Sequence, residues 1–320
     1  MTATITPAVR LSALPPADGR AGLRGALASE FTKIRSVRST YWTLGALFVV
    51  SVGLGVAIAA GTSANWDTHP FQKVGFDATQ TSLGVFFEIG QLIIAVLGAM
   101  VITSEYSTGM IRTSLTAQPR RGVVYAAKAI AFTSVTLVVS LVTAFIAFFT
   151  VQAVYASTGV SASLFHTARI PATANLNCLQ RTQIGPSEFK CTHGSMVVTS
   201  WDTIHPSTVL AAVIGTALFV TIVALIAYGV GALVRHTAGA IAIVIALMFI
   251  IPILENALPS NWHNDIQRFL PDAANMVVSV TIAGNNNAHL WSAWPQLGVT
   301  ALWAAALVGT GAYLFHKRDA

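Results

Sequence analysis

Charged residues are scarce in this chain. Only 9% of its 320 residues are Asp, Glu, Lys or Arg, whereas a soluble domain usually carries about 25%. Hydrophobic residues make up 54%, and the mean hydropathy is +0.67. These values exclude an ordinary soluble domain. They predict a polytopic membrane protein, because several apolar runs reach the ~20 residues that cross a bilayer.

Motifs for nucleotide or metal chemistry are missing as well. The absence of any Gly-Lys dipeptide excludes a Walker-type phosphate loop, and neither an HExxH motif nor a dinucleotide fingerprint occurs. The eight histidines form no pair with tight ligand spacing, so we expect no metal site and no catalytic residues. The net charge of +6 does not indicate a nucleic-acid partner, since Lys and Arg of membrane proteins collect on the cytoplasmic face.

Six apolar runs predict six transmembrane helices within residues 40–320. Their approximate bounds are 43–60, 83–103, 123–155, 208–234, 237–254 and 298–315. Helices are expected because open sheets are not viable in lipid. Frequent small residues favour close approach of these helices. The predicted fold class is therefore an all-α polytopic membrane protein.

Two segments precede the first run. Residues 1–21 are small and polar and lack the apolar stretch of a signal peptide, so we expect a disordered cytoplasmic tail. Residues 22–39 predict an amphipathic helix in the headgroup region, with packing on a soluble partner as the alternative. Its apolar positions recur at helical spacing and its cations fill other faces: Leu23, Leu27, Phe31 and Ile34 against Arg24, Lys33, Arg35 and Arg38.

The distribution of cations orients the bundle. An even number of spans puts both termini on one side of the membrane. With that side inside, cytoplasmic segments hold thirteen of the 18 Lys and Arg residues. The positive-inside rule favours this orientation, with both termini in the cytoplasm and the spans in the plasma membrane.

Two outer loops are long. Residues 156–206 are rich in Ser, Thr, Ala and Pro without a strong period, which is typical of a functional or disordered loop. This loop carries both cysteines, Cys178 and Cys191, and we expect a disulfide on the oxidising side, with two free thiols as the alternative. In residues 256–295, a short interfacial helix between Pro259 and Pro271 is predicted, since four apolar residues share a face: Trp262, Ile266, Phe269 and Leu270.

The segment 104–121 lies between the second and third runs. It is too polar for lipid, and Gly109 to Arg112 fit a short helix with Ile111 and Leu115 one turn apart on one face. Pro119 breaks that pattern. Such a short basic helix suits docking of a partner on the cytoplasmic side. The alternative is a solvated loop whose arginines only fix the orientation.

Three polar residues fall within or beside the runs. Glu88 and Gln91 lie inside the second run, and an intramembrane acid is a candidate for a transport path, although Glu88 is close enough to the end to reach the interface. Lys128, near the start of the third run, is expected to extend its ammonium group to the cytoplasmic interface.

The segment 104–121 and the start of the third run carry a family resemblance. Glu105-Tyr106, Gly109-Met110-Ile111-Arg112, Pro119-Arg120-Arg121 and Lys128 resemble the first cytoplasmic loop of ABC-2 type transporter permeases, especially actinobacterial ones. Residues 28–36, with Glu30, Phe31, Lys33, Ile34 and Arg35, resemble the amphipathic helix ahead of the first span in that family. The outer loop 156–206 is longer than the family usually has.

The resemblance implies a function. Members of the family are exporter subunits that lack an ATPase, dimerise as homodimers or heterodimers, and dock on a separate ATP-binding subunit that holds ATP and Mg. The implied coupling residues are those of the loop: Glu105, Tyr106, Gly109, Met110, Ile111, Arg112, Arg120 and Arg121. Glu105 is expected to cap a helix or to pair with Arg112 or with a partner cation. The apolar bundle is compatible with a hydrophobic or amphipathic substrate.

Two other functions stay open from the residues. A membrane scaffold or sensor would bind a ligand with its outer loops and would need no docking helix. A membrane-embedded enzyme would need a cluster of acids, bases or metal ligands, and the sequence offers none that is clear.

Overall fold

The computed structural model describes residues 22–66, 73, 76–117, 120–158, 160–183, 189–271 and 292–317. The predicted tail, residues 1–21, lies outside them. The elements in chain order are α1 (Leu23–Ser36), α2 (Arg38–Ala64), α3 (Ala78–Ser107), α4 (Met110–Ala117), α5 (Arg121–Tyr155), β1 (Ala168–Gln183), β2 (Phe189–Ile204), α6 (Pro206–Val234), α7 (Thr237–Ile245), a π turn (Ala246–Ile250), α8 (Ile251–Glu255), α9 (Ser260–Gln267) and α10 (Ala293–Lys317).

Six helical segments in this part of the chain are long and apolar enough to cross a membrane. They are α2, α3, α5, α6, the segment Thr237–Glu255 and α10. The six predicted spans are confirmed, and most of the helices extend the predicted runs by a few residues at their ends. The membrane part is all-α, as predicted.

Helix α6 is the centre of the bundle. In the most apolar 18 residues of α6, 67% are buried, compared with 22% in the same stretch of α2 and of α10. It packs against α3, α5 and α10, and glycines allow the close approach. A Cβ atom at Gly98 of α3 would lie 2.5 Å from the Ala224 carbonyl oxygen, and one at Gly229 would lie 2.7 Å from the Leu307 carbonyl carbon. Small residues at helix contacts thus set the spacing of the bundle.

The fourth and fifth spans form a tight hairpin, because only Arg235 and His236 separate α6 from α7. Arg235 ends α6 in the left-handed conformation, with φ 58°, and its N–H donates to the Gly231 carbonyl. His236 then caps α7 by accepting a hydrogen bond from the Gly239 N–H. The fifth span is not one continuous α-helix, because the π turn Ala246–Ile250 interrupts it. Pro252 follows that turn and has no N–H to donate to the preceding turn.

The long outer loop contains a β-hairpin. β1 pairs with β2 in antiparallel register from Ala168 opposite Ile204 to Gln183 opposite Phe189. These strands were not predicted, because a segment without a strong period is typical of a functional or disordered loop. A two-stranded ribbon buries neither face in a core of its own, so its sequence needs no alternation of apolar and polar residues.

The predicted short helix after the fifth span is present as α9, between Pro259 and Pro271. Of the predicted apolar face, Trp262 lies on α9 and is 66% exposed. Phe269, 60% exposed, and Leu270, buried, follow the end of the helix at Gln267. The Trp303 indole donates to the Phe269 carbonyl at 2.8 Å, which fastens the end of this segment to α10.

Candidate functional site: a buried ion-pair cluster

Four charged side chains meet at one end of the bundle. We call Glu30, Lys33, Glu105 and Lys128 the ion-pair cluster. The Lys128 Nζ lies 2.6 Å from Glu30 Oε2 and 2.7 Å from Glu105 Oε1. The Lys33 Nζ lies 2.8 Å from Glu30 Oε1 and 3.1 Å from Glu105 Oε1. Two acids and two bases therefore form a closed, charge-balanced ring of contacts.

Most of the cluster is withdrawn from solvent. The side chains of Glu30 and Lys128 are 6% exposed and that of Glu105 is 7% exposed, whereas Lys33 keeps 28%. Removing one member of such a buried set is strongly destabilising, because it leaves an uncompensated charge. Burial lowers the pKa of the Lys33 ammonium group, but hydrogen bonds and charges from Glu30 and Glu105 outweigh burial and raise the net pKa above its ordinary value. Lys33 therefore stays charged at neutral pH.

The cluster joins four helices. Glu30 and Lys33 are one turn apart on α1, Glu105 is in the last turn of α3, and Lys128 is in the third turn of α5. Lys33 also donates to the Ser114 hydroxyl of α4 at 3.2 Å. The helix ahead of the first span is thereby fastened to two spans and to the short helix that connects them.

The connecting helix α4 begins after a glycine turn. Gly109 has φ +71°, in the left-handed region that favours glycine. No other atom lies within 4 Å of a Cβ placed there, so within the chain the backbone conformation, rather than a close contact, accounts for this glycine. Ile111 is 3% exposed and Leu115 packs against the core, so the predicted apolar face is confirmed.

The other face of this connection is open. Met110 is 45% exposed, and Arg112 and Arg120 are exposed. Arg121, the first residue of α5, is half-buried. A groove of about 320 Å³ runs between α1 and α4 and is lined mainly by small and hydroxyl side chains with Met110. We call these features the α1–α4 surface.

The structure corrects one prediction for the cluster residues and adds partners to another. Glu105 neither caps a helix nor pairs with Arg112, because both of its ionic partners are lysines from other helices. The Lys128 ammonium group binds two buried carboxylates, a pairing that the sequence did not predict. In both cases the alternative partner is far away in sequence, so local spacing did not reveal it.

Helix α1 is also arranged differently from its apolar pattern. Its buried residue is Glu30. Phe31 is 37% exposed, Arg35 is exposed and Ile34 is half-buried. Within the chain, ionic contacts therefore link this helix to α3 and α5, whereas its apolar stripe stays largely uncovered.

Tyr106, one of the implied coupling residues, makes contacts that the sequence did not predict. Its ring lies 4.9 Å from the Arg235 guanidinium carbon and 6.5 Å from the Phe315 ring. Beside it, the Thr237 hydroxyl donates to the Thr103 hydroxyl at 2.8 Å. The end of α3 is thus linked to the α6–α7 turn and to the end of α10, next to the ion-pair cluster.

The two candidates for a transport path point to different environments. Glu88 is exposed on the surface of the single chain, whereas Gln91 is 3% exposed and packed inside the bundle. The Gln91 Oε1 atom has no hydrogen-bond partner within the described residues. The structure therefore does not bring these two side chains to one site.

The chain has six membrane-spanning helices, and buried ion pairs fasten the short helix between the second and third of them. This architecture is that of a membrane-embedded permease. The family model described as "ABC-2 family transporter protein" matches residues 26–182. Over these residues the chain is similar to this family, and the matched span includes every member of the ion-pair cluster. A search of curated proteins finds no match.

Proposed function

We propose that this chain is the permease subunit of an ABC exporter and that it works with a separate ATP-binding subunit. Similarity to the ABC-2 transporter family supports the proposal. In this assignment the partner binds and hydrolyses ATP with Mg, and the chain itself supplies the membrane path. The transported substrate is hydrophobic or amphipathic, in keeping with a bundle in which charged residues are few.

We assign docking of the ATP-binding subunit to the α1–α4 surface. An exposed Arg112 and an exposed Arg120 offer planar donors to acidic or carbonyl groups of a partner. The groove between α1 and α4 offers a concave seat next to them. Small residues line it, Gly25, Ala26 and Ser29 among them, so a partner backbone can approach closely.

The observation that carries the proposal is the ion-pair cluster. A partner that pushes on α1 or α4 acts on helices that share buried charge contacts with α3 and α5. Breaking any one of these contacts would leave a buried charge unpaired, so the four helices resist separation. Movement at the docking surface is therefore transmitted to the second and third spans rather than absorbed in a loose loop.

The orientation and assembly follow from charge and burial. The excess of Lys and Arg on the cluster side favours a cytoplasmic location for that end and for both termini, in the plasma membrane. The first, fifth and sixth spans bury only 17–22% of their apolar windows in one chain. These helices supply surface for lipid and for a second permease copy, identical or related. Glu88, exposed on one chain, is assigned to a path that this assembly covers.

Co-purification tests the proposal most simply. The tagged chain is extracted from its native membranes in mild detergent, and the bound proteins are identified and assayed for ATP hydrolysis. We expect an ATP-binding protein to be recovered with the wild type. Arg112→Ala should lower its recovery, because this side chain is exposed and belongs to no contact of the core. Leu302→Ala is the control: this side chain on α10 is 70% exposed and lies away from the α1–α4 surface, so the substitution should not change recovery.

Two results of the co-purification would contradict the proposal or a part of it. Recovery of the intact chain without any ATP-hydrolysing protein would contradict the exporter assignment and favour the scaffold or sensor. Normal recovery with Arg112→Ala and with Arg120→Ala would contradict the docking surface alone.

A further inference from the structure

A groove of about 310 Å³ lies beside the groove between α1 and α4, and the two share Glu30, Lys33 and Met110. Its walls are the second half of α1, the first turns of α2 and the last third of α3, and the ion-pair cluster closes its inner end. The volume is at the lower end of the roughly 300–1,000 Å³ that small-molecule sites occupy. It accommodates part of one acyl chain rather than a whole lipid.

The groove has an apolar wall and a polar mouth. Apolar side chains come from α1 and α3: Ile34, Val37, Leu97, Met100 and Val101. The hydroxyl groups of Ser36, Ser39 and Thr40 lie where α1 turns into α2. An occupant with an apolar chain and a polar headgroup fits this division.

The position of the groove matches the depth of lipid headgroups. Thr40 and Thr43 line the groove, and between them Tyr41 is 57% and Trp42 is 80% exposed. Exposed Tyr and Trp at the start of a membrane span belong to the interfacial aromatic belt. The groove therefore opens towards the bilayer at its surface, beside the first turn of the first span.

Two cations neighbour the polar mouth in the sequence. Arg35 and Arg38 are exposed and adjoin the lining residues Ser36 and Ser39, and neither forms an ion pair within the described part of the chain. The cluster itself contributes no net charge, because its two lysines balance its two glutamates. Basic pockets beside membrane helices at this depth bind anionic lipid headgroups.

We propose that this groove is a binding site for an anionic phospholipid, with its phosphate near Arg38 and one acyl chain along Met100 and Val101. The site does not depend on the ATP-binding partner. A lipid there would hold the α1–α2 turn against α3, next to the cluster that fastens α1.

Native mass spectrometry of the purified, delipidated chain tests the site. Phosphatidylglycerol and phosphatidylcholine of the same chain length are added in equal amounts, and the lipids retained are counted. We expect one phosphatidylglycerol to be retained at concentrations at which phosphatidylcholine is not. Arg38→Gln should weaken its binding about fivefold, the factor that corresponds to about 1 kcal/mol per cation near an anionic lipid. Arg24→Gln, an exposed cation of α1 outside the groove, should leave binding unchanged.

Filling the groove gives an independent arm. Met100→Trp and Thr40→Phe place bulk in the groove from two different helices, and each should abolish retention of the lipid. If one variant folds poorly, the other still tests the site. Leu302→Trp, at a 70% exposed site on α10, is the control for added bulk. Equal retention of both lipids, or retention unaffected by Met100→Trp and Thr40→Phe, would overturn the proposal. If the groove-filling variants still retain the lipid but no longer recover the ATP-binding subunit, the groove would be a site for that partner instead.

Discussion

Lys128 of α5 and Glu30 of α1 are 98 positions apart in the sequence, yet the Lys128 Nζ lies 2.6 Å from the Glu30 Oε2. Both side chains are 6% exposed. This contact brings a helix ahead of the first span into the same ionic assembly as the second and third spans. It gives the chain a firm connection at the end where we place the docking surface.

Breaking this connection should destabilise the protein measurably. Lys128→Met leaves the Glu30 and Glu105 carboxylates buried with Lys33 as their remaining counter-charge. We expect a loss of about 3–5 kcal/mol, the usual cost of removing one partner of a buried pair. Reversible unfolding of the detergent-solubilised chain, followed by helical circular dichroism, measures it.

An exposed pair supplies the control for that loss. Arg268 lies 4.0 Å from Asp265, whose side chain is 78% exposed, so Arg268→Gln should cost at most about 1 kcal/mol. Replacing all four cluster residues with apolar ones of similar size should recover most of the lost stability. A Lys128→Met chain with the free energy of unfolding of the wild type would show that the cluster does not stabilise the fold.

Gly109 should be sensitive for a conformational reason. Gly109→Ala forces an L side chain into the left-handed region at φ +71°, which costs about 1–2 kcal/mol. Gly109→Asn should cost less, because Asn tolerates this conformation. Gly122→Ala, at a helical position with open space around it, should be close to neutral. Proteolytic cleavage rates at the α3–α4 connection report the change, and equal rates for Ala at both positions would contradict the account.

Gly98 should be sensitive for a packing reason. In Gly98→Ala the new Cβ lies 2.5 Å from the Ala224 carbonyl oxygen, so α3 and α6 must move apart. Overpacking of this kind typically costs about 1–3 kcal/mol. Gly53→Ala is the matched substitution on α2, where nothing lies within 4 Å, and it should not destabilise. Unfolding midpoints that are the same for the two variants would argue against tight α3–α6 packing.

Hydropathy and local period were sufficient for the helices. The six spans and the short helices α4 and α9 each leave a signal within one stretch of sequence, such as Ile111 and Leu115 one turn apart. The hairpin β1–β2 left none, because a two-stranded ribbon imposes no burial pattern of its own. The π turn in the fifth span was missed for a similar reason, since its residues are as apolar as their neighbours.

The ion-pair cluster could not be derived from spacing. Glu30, Glu105 and Lys128 belong to three helices, and each alone has the pattern of an interfacial charge at the end of an apolar run. One signal was present: Glu105 and Lys128 both lie at the same predicted end of adjacent spans, with opposite charge. Charges so placed near a membrane are costly unless they are paired, which predicts a partner without naming it.

The disulfide between Cys178 and Cys191 stays a prediction. In the hairpin, Cys178 pairs with Gly194 and Cys191 with Arg181, so the two cysteines are not opposite each other. Their side chains lie outside the described residues. Mass spectrometry of the unreduced, digested chain should recover the linked peptides if the outer loop is oxidised. Complete alkylation of both thiols before reduction would refute the bridge.

The central claim is that the cluster transmits movement from the ATP-binding subunit to the spans. Spin labels at Ser63 and Ala257, at the ends of the first and fifth spans that lie away from the cluster, report that movement in the purified complex when ATP and vanadate are added. We expect a shift in the label distance for the wild type and for Arg268→Gln. Combining Glu105→Gln with Lys128→Met should remove the shift while the ATP-binding subunit stays bound, because docking residues are unchanged. A shift of wild-type size in this double variant, with the partner normally bound, would contradict the account.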